Sequence, residues 1–298
     1  PNANEDGKWK SDDVTHSIKL IHEFDDTLSA YISHSTGFKA ISTNLGANAT
    51  VYAGLPMDPS IYFAEPEEAE NWEIGIKKTF SNGYLNMSFF HMAVEGYQSN
   101  LFIGTGFNLV NIGEETHKGI EIDSLFFLSE NFVLTFAASY IDAVFDDFKN
   151  GPCDRTFVPP ASDDCPIVNG GPARVKDFTG RTPSGVPELA VTVSGTYTFD
   201  LTENMTGYVR GEYIYEDAYQ ATDAVPVEVP NALRKVGTLN ASLGVKDSAS
   251  GFSIMLWGRN INDDEYIYTG FNVPGSPGSY AGYPVVPKMW GLTLSRDF

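Results

Sequence analysis

Hydrophobic and polar positions alternate with a period of two through most of this chain. Leu189, Val191, Val193, Gly195, Tyr197 and Phe199 share one parity, while Ala190, Thr192, Ser194, Thr196 and Thr198 share the other. Successive side chains of a strand point to opposite faces, so this spacing predicts a strand with one apolar and one wet face. Ten further segments read the same way. Val14, Ile18, Leu20 and Phe24 mark the first, at about 14–24, and others follow at about 27–36, 72–80, 84–98, 120–128, 132–140, 205–215, 239–245 and 252–261. Trp290, Leu292, Leu294 and Phe298 form the last, against Gly291, Thr293, Ser295 and Asp297. No segment of useful length carries a helical period.

The connections are sorted by length. Asp25-Asp26, Ser81-Asn82-Gly83, Ser129-Glu130-Asn131, Thr202-Glu203-Asn204 and residues 247–251 are tight turns built from turn-forming residues. Long polar segments alternate with them, at about 40–68, around Gly104 to Gly106, and at about 146–186, 216–235 and 262–286. Outer-membrane barrels sort their connections in this way, with tight periplasmic turns on one rim and long extracellular loops on the other. Only a closed barrel satisfies every strand's backbone groups in lipid. The expected fold is all-β, an antiparallel up-and-down transmembrane β-barrel. Its C-terminus lies on the short-turn, periplasmic rim, and its long loops are extracellular. Eleven strands then place the start of the first on the opposite rim. Bacterial single-chain barrels have an even strand number, so at least one strand is expected upstream. An open eleven-stranded sheet would also leave two unpaired edges. Residues 1–298 therefore read as the C-terminal part of one larger barrel domain. The start at Pro1, with no initiator Met and no signal peptide, leaves two readings, removal of an N-terminal part or an internal fragment.

Composition narrows the alternatives. No apolar run approaches the roughly 18 to 20 residues of a membrane helix, which excludes a helical membrane protein but not a barrel. A formal net charge of −20 argues against nucleic acid and against a polybasic membrane anchor. Cys153 and Cys165 lie in one polar loop, where a disulfide is expected in an oxidising compartment and two free thiols are the alternative.

A series of short tags occurs in order along the chain. They are Gly37-Phe38-Lys39; Pro66-Glu67, then Trp72-Glu73-Ile74-Gly75-Ile76-Lys77; Asn111-Ile112-Gly113, then Lys118-Gly119-Ile120-Glu121; and Ser139-Tyr140-Ile141-Asp142-Ala143. Gly258-Arg259-Asn260-Ile261 with Asp264 and Tyr266, Pro287-Lys288-Met289-Trp290-Gly291 and the terminal Phe298 complete the set. In this order they resemble the C-terminal half of the barrel of TonB-dependent outer-membrane receptors, with Lys288 standing where that family usually has Arg. The resemblance implies a 22-stranded barrel with an N-terminal plug, importing scarce ligands: ferric siderophores first, cobalamin or glycans as alternatives. It also implies energy from the TonB complex through an N-terminal segment absent from this sequence. Trp290 and Phe298 would form the signal read by the barrel-assembly machinery.

Candidate chemistry is sparse. Acidic groups at Glu65, Glu67, Glu68 and Glu70, at Asp146-Asp147, at Asp163-Asp164 and at Asp263-Asp264-Glu265 read as solvated loop charge before they read as a cation site. Glu121, Asp123, Arg210 and Glu212 sit on the parity away from the apolar faces, hence on the expected lumen. The histidines, His16, His22, His34, His91 and His117, show no ligand spacing, so no metal is assigned. No catalytic constellation, phosphate loop or cofactor fingerprint is present, and neither an enzyme nor a cofactor is expected. Tyr219, Tyr266, Tyr268, Phe271, Tyr280 and Tyr283 are the candidate ligand contacts, because concave sites favour aromatic walls, with interfacial girdle positions as the alternative. A passive porin and an adhesin-like barrel remain beside the active transporter.

Overall fold

The structure, a computed structural model, describes residues 10–43, 63–103, 106–149, 151–152, 175–222, 229, 232–273, 276 and 279–297. Eleven long strands form one sheet: β1 (Ser17–Asp25), β2 (Leu28–Lys39), β3 (Glu67–Phe80), β4 (Gly83–Glu95), β5 (Glu114–Ser129) and β6 (Phe132–Asp147) make its first part. β7 (Leu189–Asp200), β8 (Met205–Gln220), β9 (Leu233–Asp247), β10 (Phe252–Arg259) and β11 (Met289–Arg296) complete it. Each strand pairs with its neighbours in the chain, always antiparallel, and among the described residues β1 pairs only β2 while β11 pairs only β10. The sheet is therefore open, with two free edges. Short turns follow every odd-numbered strand up to β9 and long connections follow every even-numbered one.

The register keeps one face apolar across the sheet. Leu292 pairs with Leu256, Leu256 with Leu243, Leu243 with Val209, Val209 with Tyr197 and Tyr197 with Phe132, a single row crossing six strands. The adjacent row on the opposite face runs Thr293, Met255, Gly244, Tyr208 and Thr198. The apolar face is the exposed one, with Leu292 at 61% and Leu294 at 70% of full exposure. Exposed Ile, Leu, Phe and Trp side chains recur on this face from β1 to β11, and lipid is the solvent that suits such a face.

Most strands outrun their alternation at the long-connection end. β3 begins at Glu67 rather than 72, β5 at Glu114 rather than 120 and β9 at Leu233 rather than 239, while β6 runs on to Asp147 and β8 to Gln220. A membrane strand needs roughly 9 to 11 residues. Beyond that band the ladder continues with no need for an apolar face, so the pattern that marks a strand disappears while its hydrogen bonds persist. The long connections also contain two-stranded ribbons, among them Gln98–Ile103 with Gly106–Asn111 and Ile267–Asn272 with Tyr280–Pro284. The fourth strand ends at Glu95, short of the expected 98. Gly96 there adopts φ +64°, and a Cβ on it would lie 2.8 Å from the Pro66 carbonyl oxygen.

Two of the sequence tags act as clamps at this rim. Asn111 accepts the Glu65 amide on Oδ1 at 2.6 Å, and its Nδ2 donates to the carbonyls of Glu65 and Gly96 at 2.9 and 2.6 Å. Ile112 then enters a small buried cluster with Phe145, Phe148 and Phe178. At the other clamp, β10 stops at Asn260, which is buried with φ 48°. Its side chain accepts the Asp264 amide at 2.7 Å and donates to the Asp264 carbonyl at 2.8 Å. Asn262 and Asp264 accept the amides of Leu239 and Gly237, at 2.8 and 2.6 Å. Side chains thus replace the partner strand where β9 continues beyond β10.

Candidate ligand site at the long-connection rim

Arg234 is the centre of a cluster that joins the end of β8, the start of β9 and the connection after β10. It pairs with Tyr219 across β8 and β9, just past a bulge between Glu216 and Tyr219. Arg234 keeps the parity of Asn240 and Ser242, the partners of Glu212 and Arg210, and the bulge carries Tyr219 onto that same face, opposite the apolar one. The Asp264 bond to Gly237 fixes the start of the ribbon that follows β10, and this sets Tyr266 and Tyr268 beside Arg234. The guanidinium lies 5.6 Å from the Tyr219 ring, 5.4 Å from Tyr266 and 5.0 Å from Tyr268. Such contacts are worth about 0.5–2 kcal/mol each, more as water is excluded.

Glu216 completes the cluster. One of its oxygens accepts Arg234 Nη2 at 3.1 Å and the Tyr219 hydroxyl at 2.9 Å, and the other accepts the same Nη2 at 3.3 Å. Burial, together with the hydrogen bond to Glu216, pushes the Tyr219 phenol well above its ordinary value, so this hydroxyl stays a neutral donor. Arg234 is only 18% exposed, and its buried Nε has no hydrogen-bond partner. An unpaired buried donor of this kind costs about 1–3 kcal/mol. The arrangement is a cation held in place by one carboxylate and walled by aromatic rings, suited to an anion that also has flat apolar surface.

Of the six aromatic residues expected to contact ligand, Tyr219, Tyr266 and Tyr268 meet at Arg234. Phe271 and Tyr283 face each other across the ribbon, 5.9 Å between ring centroids, and Tyr280 pairs with Asn272 in the same ribbon. Arg234 and Glu216 carry no sequence signal of their own. Only the β8–β9 register shows that they share a face with Tyr219.

The four charged residues expected on the wet face lie in two concavities. Glu121 and Asp123 line one of about 470 Å³ with Tyr31, Lys77 and Asn86, and Asn86 donates to Asp123 at 3.0 Å. Arg210 and Glu212 line another of about 500 Å³ with Asn240 and Trp257; they are ion-paired at 2.8 Å, and Asn240 donates to Glu212 at 3.2 Å. Trp290 lies on the apolar face of β11, 59% exposed. Cys153, Cys165, Asp163, Asp164 and Phe298 lie outside the described residues. The remaining acidic groups are engaged separately: Glu67 with Lys39, Glu70 with His34, Asp146 with Thr116, and Asp263 with Lys288. Among the described residues no group of three or more His, Cys, Asp or Glu side chains is arranged to hold a metal ion.

Eleven antiparallel strands, an exposed apolar face and connections sorted by rim define the wall of an outer-membrane β-barrel. The sequence matches the TonB dependent receptor-like β-barrel family over residues 1–261, and the chain belongs to that family, whose barrels are outer-membrane transport receptors. Its fold is similar to part of the ferric yersiniabactin uptake receptor FyuA from Yersinia pestis, at 16% identity and a TM-score of 0.68, covering 95% of this chain and 37% of that one. The siderophore receptor PiuA from Acinetobacter baumannii gives 15% identity, a TM-score of 0.62 and coverage of 94% and 35%. The copper transporter OprC gives 9%, 0.64, 95% and 39%. The chain thus spans a little over a third of each of these structures. No curated sequence matches it significantly.

Proposed function

We propose that the chain forms the C-terminal part of the barrel of an active outer-membrane receptor for a ferric siderophore, with cobalamin or a glycan as the alternative cargo. The observation that carries this reading is the Arg234 cluster. A ferric siderophore complex combines net negative charge with flat chelating groups, and Arg234 with Tyr219, Tyr266 and Tyr268 offers both complements at the rim where the loops gather. An acceptor on such a ligand would satisfy the unpaired Arg234 Nε. The siderophore receptors among the similar structures support this choice of cargo, and the copper transporter shows that the same fold carries other loads.

In this reading the short turns and the C-terminus are periplasmic and the long connections extracellular. Glu121, Asp123, Arg210 and Glu212 line the lumen, and Cys153 and Cys165 form a disulfide within the longest loop. The TonB complex is engaged through an N-terminal segment outside this sequence. The partners are outer-membrane lipid, the barrel-assembly machinery and the small-molecule ligand.

The test is growth of a deletion strain on defined iron, cobalamin and glycan sources, complemented with the wild-type receptor or with Arg234→Gln. Loss of growth on one ferric siderophore, restored by wild type and not by the variant, is the expected result. Uptake that persists without TonB would replace the active receptor by a passive porin.

A further inference from the structure

A second group of side chains lies on the opposite, apolar face, at the long-connection end of β1, β2 and β3. His16 Nε2 is 3.0 Å from His34 Nδ1, and His34 Nε2 is 2.8 Å from Glu70 Oε1. Trp72 Nε1 donates to the same Glu70 oxygen at 3.1 Å, and its ring lies 4.3 Å from the His34 ring. His16 Nδ1 is 3.3 Å from the Thr36 hydroxyl.

The hydrogen-bond inventory assigns the protons. A carboxylate only accepts, so His34 carries its proton on Nε2 and presents a lone pair on Nδ1. His16 Nε2–H donates to that lone pair, and the Thr36 hydroxyl donates to His16 Nδ1. Every group is satisfied, but one proton sits between two nitrogens whose outer partners are already in place. If the His16 proton moves to Nδ1 it donates to Thr36 instead, and both inner nitrogens then present lone pairs to the same small space.

We propose that His16 and His34 form a cross-strand chelate for a divalent late transition cation, with Glu70 and Thr36 orienting the two rings. The proton shift on His16 from Nε2 to Nδ1 accommodates the ion, so two neutral imidazoles bind it with no net proton release. Metal-bound histidines characteristically give their second nitrogen to a carboxylate or another acceptor, and such partners are what His34 and His16 already have.

The two inner nitrogens are 3.0 Å apart across their hydrogen bond, close enough for both to reach one ion once the bridging proton has left and the rings have turned toward it. Imidazole nitrogens suit late transition cations, and Cu(II) stands highest in the divalent affinity series. Water fills the remaining positions. Because His16 precedes β1 and His34 lies on β2, the bound ion would pin the start of β1 to its neighbour.

The test is Cu(II) titration of the purified receptor carrying this chain, folded in detergent, read by electron paramagnetic resonance and calorimetry. The expected spectrum shows coupling to two imidazole nitrogens. It should fall to one in His16→Gln and in His34→Gln, and be unchanged in His91→Gln. Glu70→Gln should keep the stoichiometry and weaken binding about 10- to 100-fold. Zn(II) should compete poorly. Equal Cu(II) affinity and an identical spectrum in the folded His16→Gln/His34→Gln double variant would overturn the proposal. So would the absence of any two-nitrogen species in wild type. If His34→Gln fails to fold, His16→Gln, just before β1, decides alone.

Discussion

Asp264 accepts the backbone amide of Gly237 at 2.6 Å, a bond that spans 27 residues and stands in for a strand that has already ended. The tag that carries Asp264 therefore has a mechanical role, which is to finish the edge of β9 and aim the following ribbon at Arg234. Asp264→Ala would leave the Gly237 amide unpaired at a part-buried position. A loss of about 1–3 kcal/mol is expected, read as a lower urea midpoint for unfolding in detergent. Asp264→Asn should recover most of it, because the amide oxygen can still accept.

Gly251 closes the turn between β9 and β10 with φ +72°, and a Cβ there would clash with the Asp297 carbonyl oxygen. Gly251→Ala meets both the left-handed backbone penalty, about 1–2 kcal/mol, and this contact. The contact is to the backbone that leads out of β11. Slower assembly of the barrel is expected, measured by the appearance of the heat-modifiable folded band during insertion into lipid vesicles.

At the short-turn rim, outside the apolar band, Asp247 is held below the usual carboxylate range by the Ser250 hydroxyl and the Ala249 amide. Asp25 is held low by the hydroxyl and amide of Thr27. A lowered folded value means that these bonds contribute stability above the unfolded value, about 3.9, and lose it as pH falls further through the folded value. Unfolding midpoints should accordingly be flat near neutrality and decline below about pH 4. Asp247→Asn should reduce the decline, which a pH series of denaturation curves would show.

The Tyr268 ring lies 5.0 Å from the Arg234 guanidinium and is 58% exposed, so it contributes to a ligand more than to the fold. Tyr268→Ala should weaken ligand binding about 5- to 30-fold, the equivalent of about 1–2 kcal/mol, with little change in unfolding. Tyr268→Trp should keep or tighten binding. Titration of ligand into receptor in detergent checks both.

Deleting Phe298 should impair membrane insertion of the receptor more than its affinity for ligand. Trp290→Ala, near the start of β11, should act in the same direction. Quantifying receptor in isolated outer membranes alongside binding to the inserted fraction separates the two effects.

The sequence made all eleven strands legible wherever lipid enforces an apolar face, as in Leu189 to Phe199. It could not show where β3, β5 and β9 begin. From Glu67 to Asn71, from Glu114 to Gly119 and from Leu233 to Thr238 the ladder stands clear of the apolar band, and no apolar parity records it. The site was half legible for the same reason. Aromatic residues in polar loops attract notice, and three of the six meet at one point. Arg234, in the run Leu233-Arg234-Lys235, looks like ordinary loop charge until its register with Tyr219 is known. The pairing of His16 with His34 was hidden because their contact is diagonal across two strands, a spacing no linear motif encodes.

β1 runs toward the short-turn rim, and so does β11. Two such sheets placed side by side in the same membrane orientation would meet along parallel edges, which breaks the antiparallel pattern of a barrel wall. Inverting one copy restores antiparallel edges but puts its long loops on the wrong side of the membrane. Among the described residues, then, an edge shared by the β1 of one copy and the β11 of another would be parallel, with the slanted and slightly weaker hydrogen bonds of parallel pairing.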